Sequence, residues 1–86
     1  MGLSITMSVS HNDTFNMVSG DFPRDKLDHL EMIMGMRAEK VAQEGWSQLV
    51  DRETARRIAE VAGLKREWAG LVDQFTPCCM IRATIA

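Results

Sequence analysis

Two stretches of alternating polarity, one early and one late in the sequence, constrain the fold of this chain most. Residues 3–10 alternate Leu, Ile, Met and Val with Ser and Thr, and residues 79–85 alternate Cys, Ile and Ala with Met, Arg and Thr. A period of two residues is the pattern of a strand that buries one face. We therefore predict a strand in each stretch.

The first strand is predicted to belong to a β-hairpin over residues 3–19. His11-Asn12-Asp13 supplies the turn, because Asn and Asp side chains bond to their own backbone and tolerate positive φ. The second strand then carries Phe15 and Met17 on one face. We expect Thr14, Asn16 and Val18 on the other face, and Gly20 as the end of the strand.

A long helix is predicted to follow the hairpin. Asp21-Phe22-Pro23 opens it, since Asp caps free amides and proline is tolerated in a first helical turn. Gly45 is the expected stop. Residues at helical spacing form its apolar face: Leu27, Leu30, Met34, Ala38, Val41 and Ala42.

Two shorter helices are predicted in the second half of the chain. Trp46 to Val50 is expected to be a connection with apolar anchors, and Asp51 is the expected cap of the next helix. That helix runs to about Ala62 and is broken by Gly63. The last helix covers residues 64–75 and ends at Thr76-Pro77, because a residue before proline avoids helical geometry.

These elements predict a single α+β domain over residues 1–86. The N-terminal hairpin and the C-terminal strand would share a small antiparallel or mixed sheet, covered by one long and two shorter helices. The 86-residue chain is 45% hydrophobic and 26% charged, which is ordinary for a globular domain.

The composition also bounds location and partners. The net charge of −2 indicates no polycation, and we find no apolar run long enough to span a bilayer. The first residues lack the basic start of a secretion signal. Cys78 and Cys79 are adjacent and cannot easily bridge each other, so we expect reduced thiols, a cytoplasmic location and no membrane partner.

Side chains that carry out chemistry are scarce in this sequence. The chain has no Tyr, and its two histidines are His11 and His29. Asp25 and His29 are four residues apart on one predicted helix face, but a metal site needs a third ligand that the pattern does not provide. No nucleophile signature surrounds the cysteines. We therefore expect no catalytic residue, no metal and no cofactor, and predict that the protein is not an enzyme.

Methionine is the residue that favours a recognition role. The chain has 7 Met, and Met32 and Met36 lie outside the apolar face of the predicted long helix. Met fills irregular gaps in a core, but Met-rich surfaces also adapt to protein partners. Trp46 and Trp68 are candidate anchors of such an interface, because Trp is enriched at binding hot spots. Our first hypothesis is an interaction protein that binds a larger protein or forms a homodimer.

The size and style of the chain narrow this hypothesis by analogy. Small, mildly acidic domains without a chemical site are typical of inhibitors encoded by phages and mobile elements, anti-CRISPR proteins among them. Such a protein acts by occupying a surface of its partner.

An alternative function comes from residues 54–73, which resemble a helix-turn-helix of the lactose-repressor type. Ala59 is the small residue at the helix crossing, Gly63 lies in the turn, and Leu64 is the apolar residue after it. The resemblance implies a DNA-binding transcriptional regulator whose second helix enters the major groove. Two short helices that simply pack together give the same pattern. The implied contacts to bases and phosphates are Arg52, Arg56, Arg57, Lys65, Arg66 and Glu67.

Overall fold

A computed structural model describes residues 3–74 and 79–86. These residues form an α+β fold, as predicted, and their sheet is antiparallel with four strands, one more than the sequence predicts. The strands are β1 (Leu3–His11), β2 (Thr14–Phe22), β3 (Trp46–Val50) and β4 (Met80–Ile85). Their order across the sheet is β2-β1-β4-β3, so β2 and β3 are the edge strands.

The predicted hairpin is confirmed, with Asn12 and Asp13 between its strands. Asn12 has a φ of 53°, in the left-handed region that Asn tolerates. The prediction that Gly20 ends the second strand is wrong, because β2 continues to Phe22. A Cβ on Gly20 would lie 3.1 Å from Cδ2 of Leu64, so glycine here allows a side chain to approach the strand closely.

The predicted long helix is two short ones, α1 (Leu27–Met34) and α2 (Ala38–Glu44). Gly35 ends α1 with a φ of 69°, and Arg37 is extended before α2 begins. Asp21 does not cap a helix, because it belongs to β2 and Pro23 leads into a single 3-10 turn instead.

Residues 46–50 are a strand and not the predicted connection. This strand, β3, pairs antiparallel with β4. Trp46 is buried, whereas Leu49 is exposed on the opposite side of the strand. An apolar side chain on each side hides the alternation that would have indicated a strand.

The two later helices are confirmed as α3 (Arg52–Ala62) and α4 (Lys65–Val72). Asp51 caps α3 as predicted, since its Oδ1 accepts a hydrogen bond of 2.7 Å from the Thr54 backbone N–H. The last helix is shorter than predicted. Its expected end at Thr76-Pro77, like Cys78, lies outside the described residues.

All four strands contribute to one core beneath the helices, so one face of the sheet is covered. The predicted apolar face of α1 and α2 points into this core, with Leu27, Leu30 and Val41 buried. Within the described residues, no helix is both long and apolar enough to cross a bilayer. The side chains buried to less than 2% exposure and largest in volume are Phe22, Ile5, Met7, Leu30, Ile58, Ile85, Val9 and Val41.

Candidate interaction surface

The hairpin register decides which face of β2 is covered. With two residues in the turn, Val9 lies opposite Asn16 and Met7 lies opposite Val18. Directly opposed residues in a sheet point to the same face. Because Val9 and Met7 are buried against the helices, Asn16 and Val18 share the covered face. The side chains between them, including Met17, point to the other face, which we call the open face.

The same register extends the open face across the sheet. Ser8 lies opposite Met17 on one side and opposite Arg82 on the other, and Arg82 lies opposite Leu49. Nearer the hairpin turn, Ser10 lies opposite Phe15 on one side and opposite Met80 on the other. We name the four apolar residues of this face the outer patch: Phe15, Met17, Leu49 and Met80.

The outer patch contains most of the exposed large hydrophobic side chains. Its four members are 48–59% exposed, and among the described residues only Met32 joins them as an exposed large hydrophobic. Single exposed apolar residues are normal on a protein surface, but several large apolar side chains on one open sheet face indicate a candidate site of interaction. The sequence patterns above did not predict this site. A two-residue turn pairs odd residues of β1 with even residues of β2. Since the odd residues of β1 are buried, this pairing indicates that the odd residues of β2 lie on the open face.

Hydroxyl side chains occupy the half of the open face away from the turn. Thr6 Oγ1 lies 3.2 Å from Ser19 Oγ, and Ser47 Oγ lies 2.9 Å from Thr84 Oγ1. These contacts join β1 to β2 and β3 to β4, so they satisfy polar groups within the sheet. The open face is therefore divided into an apolar half and a hydroxyl half.

Arg82 lies at the border between these halves. Its Nη1 donates a hydrogen bond of 3.1 Å to Ser47 Oγ. In the described part of the chain no carboxylate forms an ion pair with it. The only carboxylate side chain in the four strands is Asp21, at the far end of β2. The open face thus presents one cation next to an apolar patch.

The residues that the sequence proposed for a protein interface do not lie together. Met32 projects from α1 and is 85% exposed, whereas Met36 is half-buried against the core. Trp46 and Trp68 are core residues, with 8% and 3% exposure. Burial removes both tryptophans from the predicted interface, because a partner cannot reach side chains that already pack in the interior.

The helix-turn-helix resemblance has a geometric counterpart in α3 and α4. Gly63 ends α3 with a φ of 75°, and Ala59 is fully buried where the two helices approach. Ile58 and Val72 are also buried. The described segment therefore has the helix-glycine-helix geometry of the motif, and DNA binding then depends on which charges its surface presents.

Carboxylates of α3 pair with some of these charges. Arg56 contacts Glu53 at 2.5 Å and Glu60 at 3.0 Å, and Lys65 Nζ lies 3.4 Å from Glu60. The hydrogen bond from Arg56 holds the pKa of the Glu53 carboxyl below its ordinary value. The pKa of Arg56 is raised in turn, chiefly by its hydrogen bond to Glu53.

The other implied DNA contacts point in several directions. Arg52 donates a 3.3 Å hydrogen bond to Sγ of Cys79, and Arg57 lines a groove with Met32 between α1 and α3. Arg66 and Glu67 are exposed on α4. A cavity of about 300 Å³ lies between α3 and α4, lined by basic, acidic and apolar side chains. The arrangement is a surface of mixed charge.

The His, Cys, Asp and Glu side chains, which could bind a metal ion, form no such cluster in the described residues. No three His, Cys, Asp or Glu side chains in residues 3–74 and 79–86 are placed to hold a metal ion. His29 is exposed on α1, and Cys79 is a free, half-buried thiol before β4.

Comparison with known proteins adds no relative: no protein-family profile, curated protein or solved structure matches this chain.

Proposed function

We propose that this protein is a non-catalytic interaction domain that binds a larger protein through the outer patch. The observation that carries the proposal is the grouping of Phe15, Met17, Leu49 and Met80 on the uncovered face of one sheet. About half of the surface of each of these side chains stays exposed in the folded chain. Their removal from water by a partner contributes about 25 cal/mol for each Å² of apolar surface buried, and this gain has to exceed the entropic cost of association.

Arg82 gives this surface a preference among partners. A guanidinium beside an apolar patch fits a partner that places a carboxylate opposite it. A bidentate pair of hydrogen bonds between the guanidinium and the carboxylate then replaces the water at both groups. We infer that the partner surface is apolar at its centre and carries an acidic side chain against Arg82. Arg and aromatic residues are also enriched at binding hot spots, which favours Arg82 and Phe15 as the main contributors.

A domain of this kind acts by occupation. It covers a surface that the partner needs for another contact, and no bond has to be made or broken. An inhibitor of the phage or mobile-element type works in this way, and it remains the class that we propose for this chain.

A helix-turn-helix regulator is the alternative function. The buried Ala59 and the left-handed Gly63 favour it, whereas the pairing of Arg56 and Lys65 with carboxylates opposes it. Phosphate contacts supply most non-specific affinity for DNA, so a DNA-binding protein shows that affinity at low salt. A gel-shift titration at low salt decides between the functions. Retardation that is lost in Arg66→Ala supports the regulator, and a flat titration supports the interaction domain.

The outer patch is tested by capture of a partner from a lysate of the cells in which the protein is naturally produced. A tagged chain is compared with the double variant Phe15→Ser, Met80→Ser and with the control Met32→Ser. Met32 is the matched control because it is an exposed methionine on the helical side of the molecule. We expect the control to capture the same protein as the unmodified chain, and the double variant to lose it.

The identified partner is then purified and titrated against all three chains by calorimetry. A loss of affinity of about tenfold or more for the double variant alone is the expected result, since the variant truncates two side chains that the complex would bury. Equal affinity for the double variant and the unmodified chain contradicts the proposal. Loss of binding in Met32→Ser alone instead assigns the interface to the groove between α1 and α3.

A further inference from the structure

The free edge of β2 is a second feature that the proposed function does not use. Ser4 and Ala86 exchange both of their backbone hydrogen bonds across β1 and β4. Alternate residues of a strand direct these bonds to opposite neighbours. Even-numbered residues of β1 therefore bond to β4, and odd-numbered ones bond to the even-numbered residues of β2. The residues whose backbone N–H and C=O groups point to the free edge are Phe15, Met17, Ser19 and Asp21.

This edge lacks the usual protection against pairing. Exposed edge strands are normally short, or carry Lys, Pro or a bulge that prevents another strand from adding to them. Strand β2 has nine residues and no proline, and its single charged side chain is Asp21, next to its end. The other edge strand, β3, has five residues and is followed by Asp51.

The covering helices leave the β2 edge accessible. In the described part of the chain, β2 makes its main contacts with β1, α3 and α4. Both helices lie on the covered face, where Leu64 approaches Gly20. They therefore cover the face of β2 and leave the outward backbone groups of its edge without a strand partner.

We propose that β2 pairs antiparallel with β2 of a second copy of this chain. The two four-stranded sheets then join into one continuous sheet about a two-fold axis. An antiparallel edge is complementary to itself, because each residue with outward groups offers one donor and one acceptor to its counterpart. The strand that occupies the free edge is therefore β2 of another copy.

Charge selects the register of this pairing. With Val18 on the two-fold axis, all nine residues of β2 pair, and Asp21 lies opposite Phe15 of the second copy. With Met17 on the axis, Asp21 lies opposite Asp13 of the second copy, and like charges directly opposite are destabilising. The first register is therefore the one that we propose. It makes about eight backbone hydrogen bonds, two for each hydrogen-bonded pair of residues.

The dimer also changes the open face. In the proposed register Phe15 and Met17 of both copies lie on the same face of the joined sheet, next to the junction. Two outer patches become one wider apolar surface. The inference goes beyond the proposed function and does not depend on it, because Ser19 contributes to the edge and not to the outer patch.

A proline at each edge strand tests the pairing. The Ser19 N–H points to the free edge of β2, so Ser19→Pro removes a donor that the dimer needs without removing a backbone hydrogen bond within the sheet. It also removes the hydroxyl contact with Thr6, just as Ser47→Pro removes the hydroxyl contact between Ser47 and Thr84. Ser47→Pro is the matched control, since Ser47 has the equivalent position on the free edge of β3. The mass of each chain is measured by sedimentation equilibrium over a range of concentrations.

We expect the unmodified chain and Ser47→Pro to approach twice the 9.7 kDa of one chain at high concentration. Ser19→Pro should dissociate at least about tenfold more readily, because symmetry removes one bond from each copy. An unmodified chain that stays at 9.7 kDa throughout overturns the proposal. Loss of the dimer in Ser47→Pro alone, or an equal dissociation constant for all three chains, does so too.

Amide hydrogen exchange of the unmodified chain gives a second measurement that needs no variant. We expect the amides of Phe15, Met17 and Ser19 to be protected at high concentration and to exchange quickly on dilution. The amides of Ser47 and Leu49 serve as the internal control and exchange quickly at both concentrations. Fast exchange of the β2 edge amides in a sample that sediments as a dimer contradicts the proposed interface.

Discussion

The two faces of the sheet are built from the same strands and have opposite roles. On the covered face, Ile5, Met7 and Val9 of β1 are fully buried against the helices. On the open face the same strand presents Ser and Thr, and its neighbours present the outer patch. The hydrophobic effect stabilises the fold mainly through the first face, because the apolar residues of the second keep about half of their surface in water.

Strand β2 contains this contrast in two residues of one type. Phe22 is on the covered face with 0% exposure, and Phe15 is on the open face with 57% exposure. A phenylalanine in this strand can therefore be a core residue or a surface residue, and the register of the strand decides which.

The largest expected effect is a loss of stability in Phe22→Ala. Truncation of a buried phenylalanine removes its transfer free energy and leaves a cavity, at a cost of about 3–5 kcal/mol. Phe15→Ala should change the free energy of unfolding by no more than about 0.5 kcal/mol, because the side chain is mostly exposed. Urea denaturation measured by circular dichroism compares the two variants.

The same titration can contradict the difference between the two faces. If Phe15→Ala loses as much stability as Phe22→Ala, the open face contributes to the fold of the chain, and the outer patch is not a free surface.

A smaller loss is expected where the chain leaves the helical layer and enters the sheet. Gly45 has a φ of 77° and a ψ of 177°, and a Cβ there would lie 3.0 Å from the Ile85 carbonyl oxygen. Gly45→Ala should destabilise the protein by roughly 1–3 kcal/mol, because this region of backbone conformation is restricted to glycine.

Gly70→Ala is the matched control for this prediction. Gly70 lies within α4 and has ordinary helical geometry, and a Cβ added there would meet no neighbouring atom within 4 Å. Alanine there should stabilise the protein by about 0.4–1 kcal/mol, since it restricts the unfolded chain. Thermal melts of the two variants should shift in opposite directions, and equal shifts would show that backbone strain at Gly45 is not the cause.

The smallest effect is a dependence of stability on pH that comes from the covering helix α3. Hydrogen bonds from Thr54 hold the pKa of Asp51 below its ordinary value of 3.8. The native state therefore favours the charged carboxylate. Its stabilisation is present above that ordinary value and is lost as the pH falls through the lower pKa of the folded protein.

Asp51→Asn tests this prediction, because asparagine also caps a helix but does not titrate in this range. The unmodified chain should lose stability on acidification from about pH 5, and the variant should lose less over the same interval. Parallel pH profiles would exclude the cap as the source, and Glu53 would then be the next group to replace, since its pKa is lowered as well.

The parts of the fold that the sequence predicts correctly depend on strong local signals. The alternation of residues 3–10 and 79–85 predicts β1 and β4, and Asn12-Asp13 predicts the turn. Asp51 caps the start of α3 and Gly63 ends it, as predicted. In each case the residue that sets the structure acts on its immediate neighbours, so the pattern can be read without the rest of the molecule.

The errors arise where distant contacts decide. The apolar spacing of residues 27–42 continues across Gly35, so the pattern hides the end of α1 at this left-handed glycine and the start of α2 at Ala38. Strand β3 depends on β4, which lies far away in the chain. Its own residues, with Leu49 on the open side, do not alternate clearly enough to predict a strand.

The candidate site combines both cases. The strands that carry Phe15, Met17 and Met80 follow from the sequence, but their grouping depends on the register of three strand pairs. The Met32 candidate depends on residue type and on its position outside the apolar face of the predicted helix, whereas the Trp68 candidate depends on residue type alone. The structure leaves Met32 exposed and buries Trp68, and no property of a single residue type distinguishes these outcomes.

The place of β4 in the sheet has a consequence for how the chain assembles during synthesis. Strand β4 follows every other element in the sequence, yet it lies between β1 and β3. The N-terminal hairpin can close as soon as it leaves the ribosome, whereas β3 has no neighbour to join until the last strand arrives. The slow step in folding should therefore be insertion of that strand, since contacts between distant segments are the slowest to form.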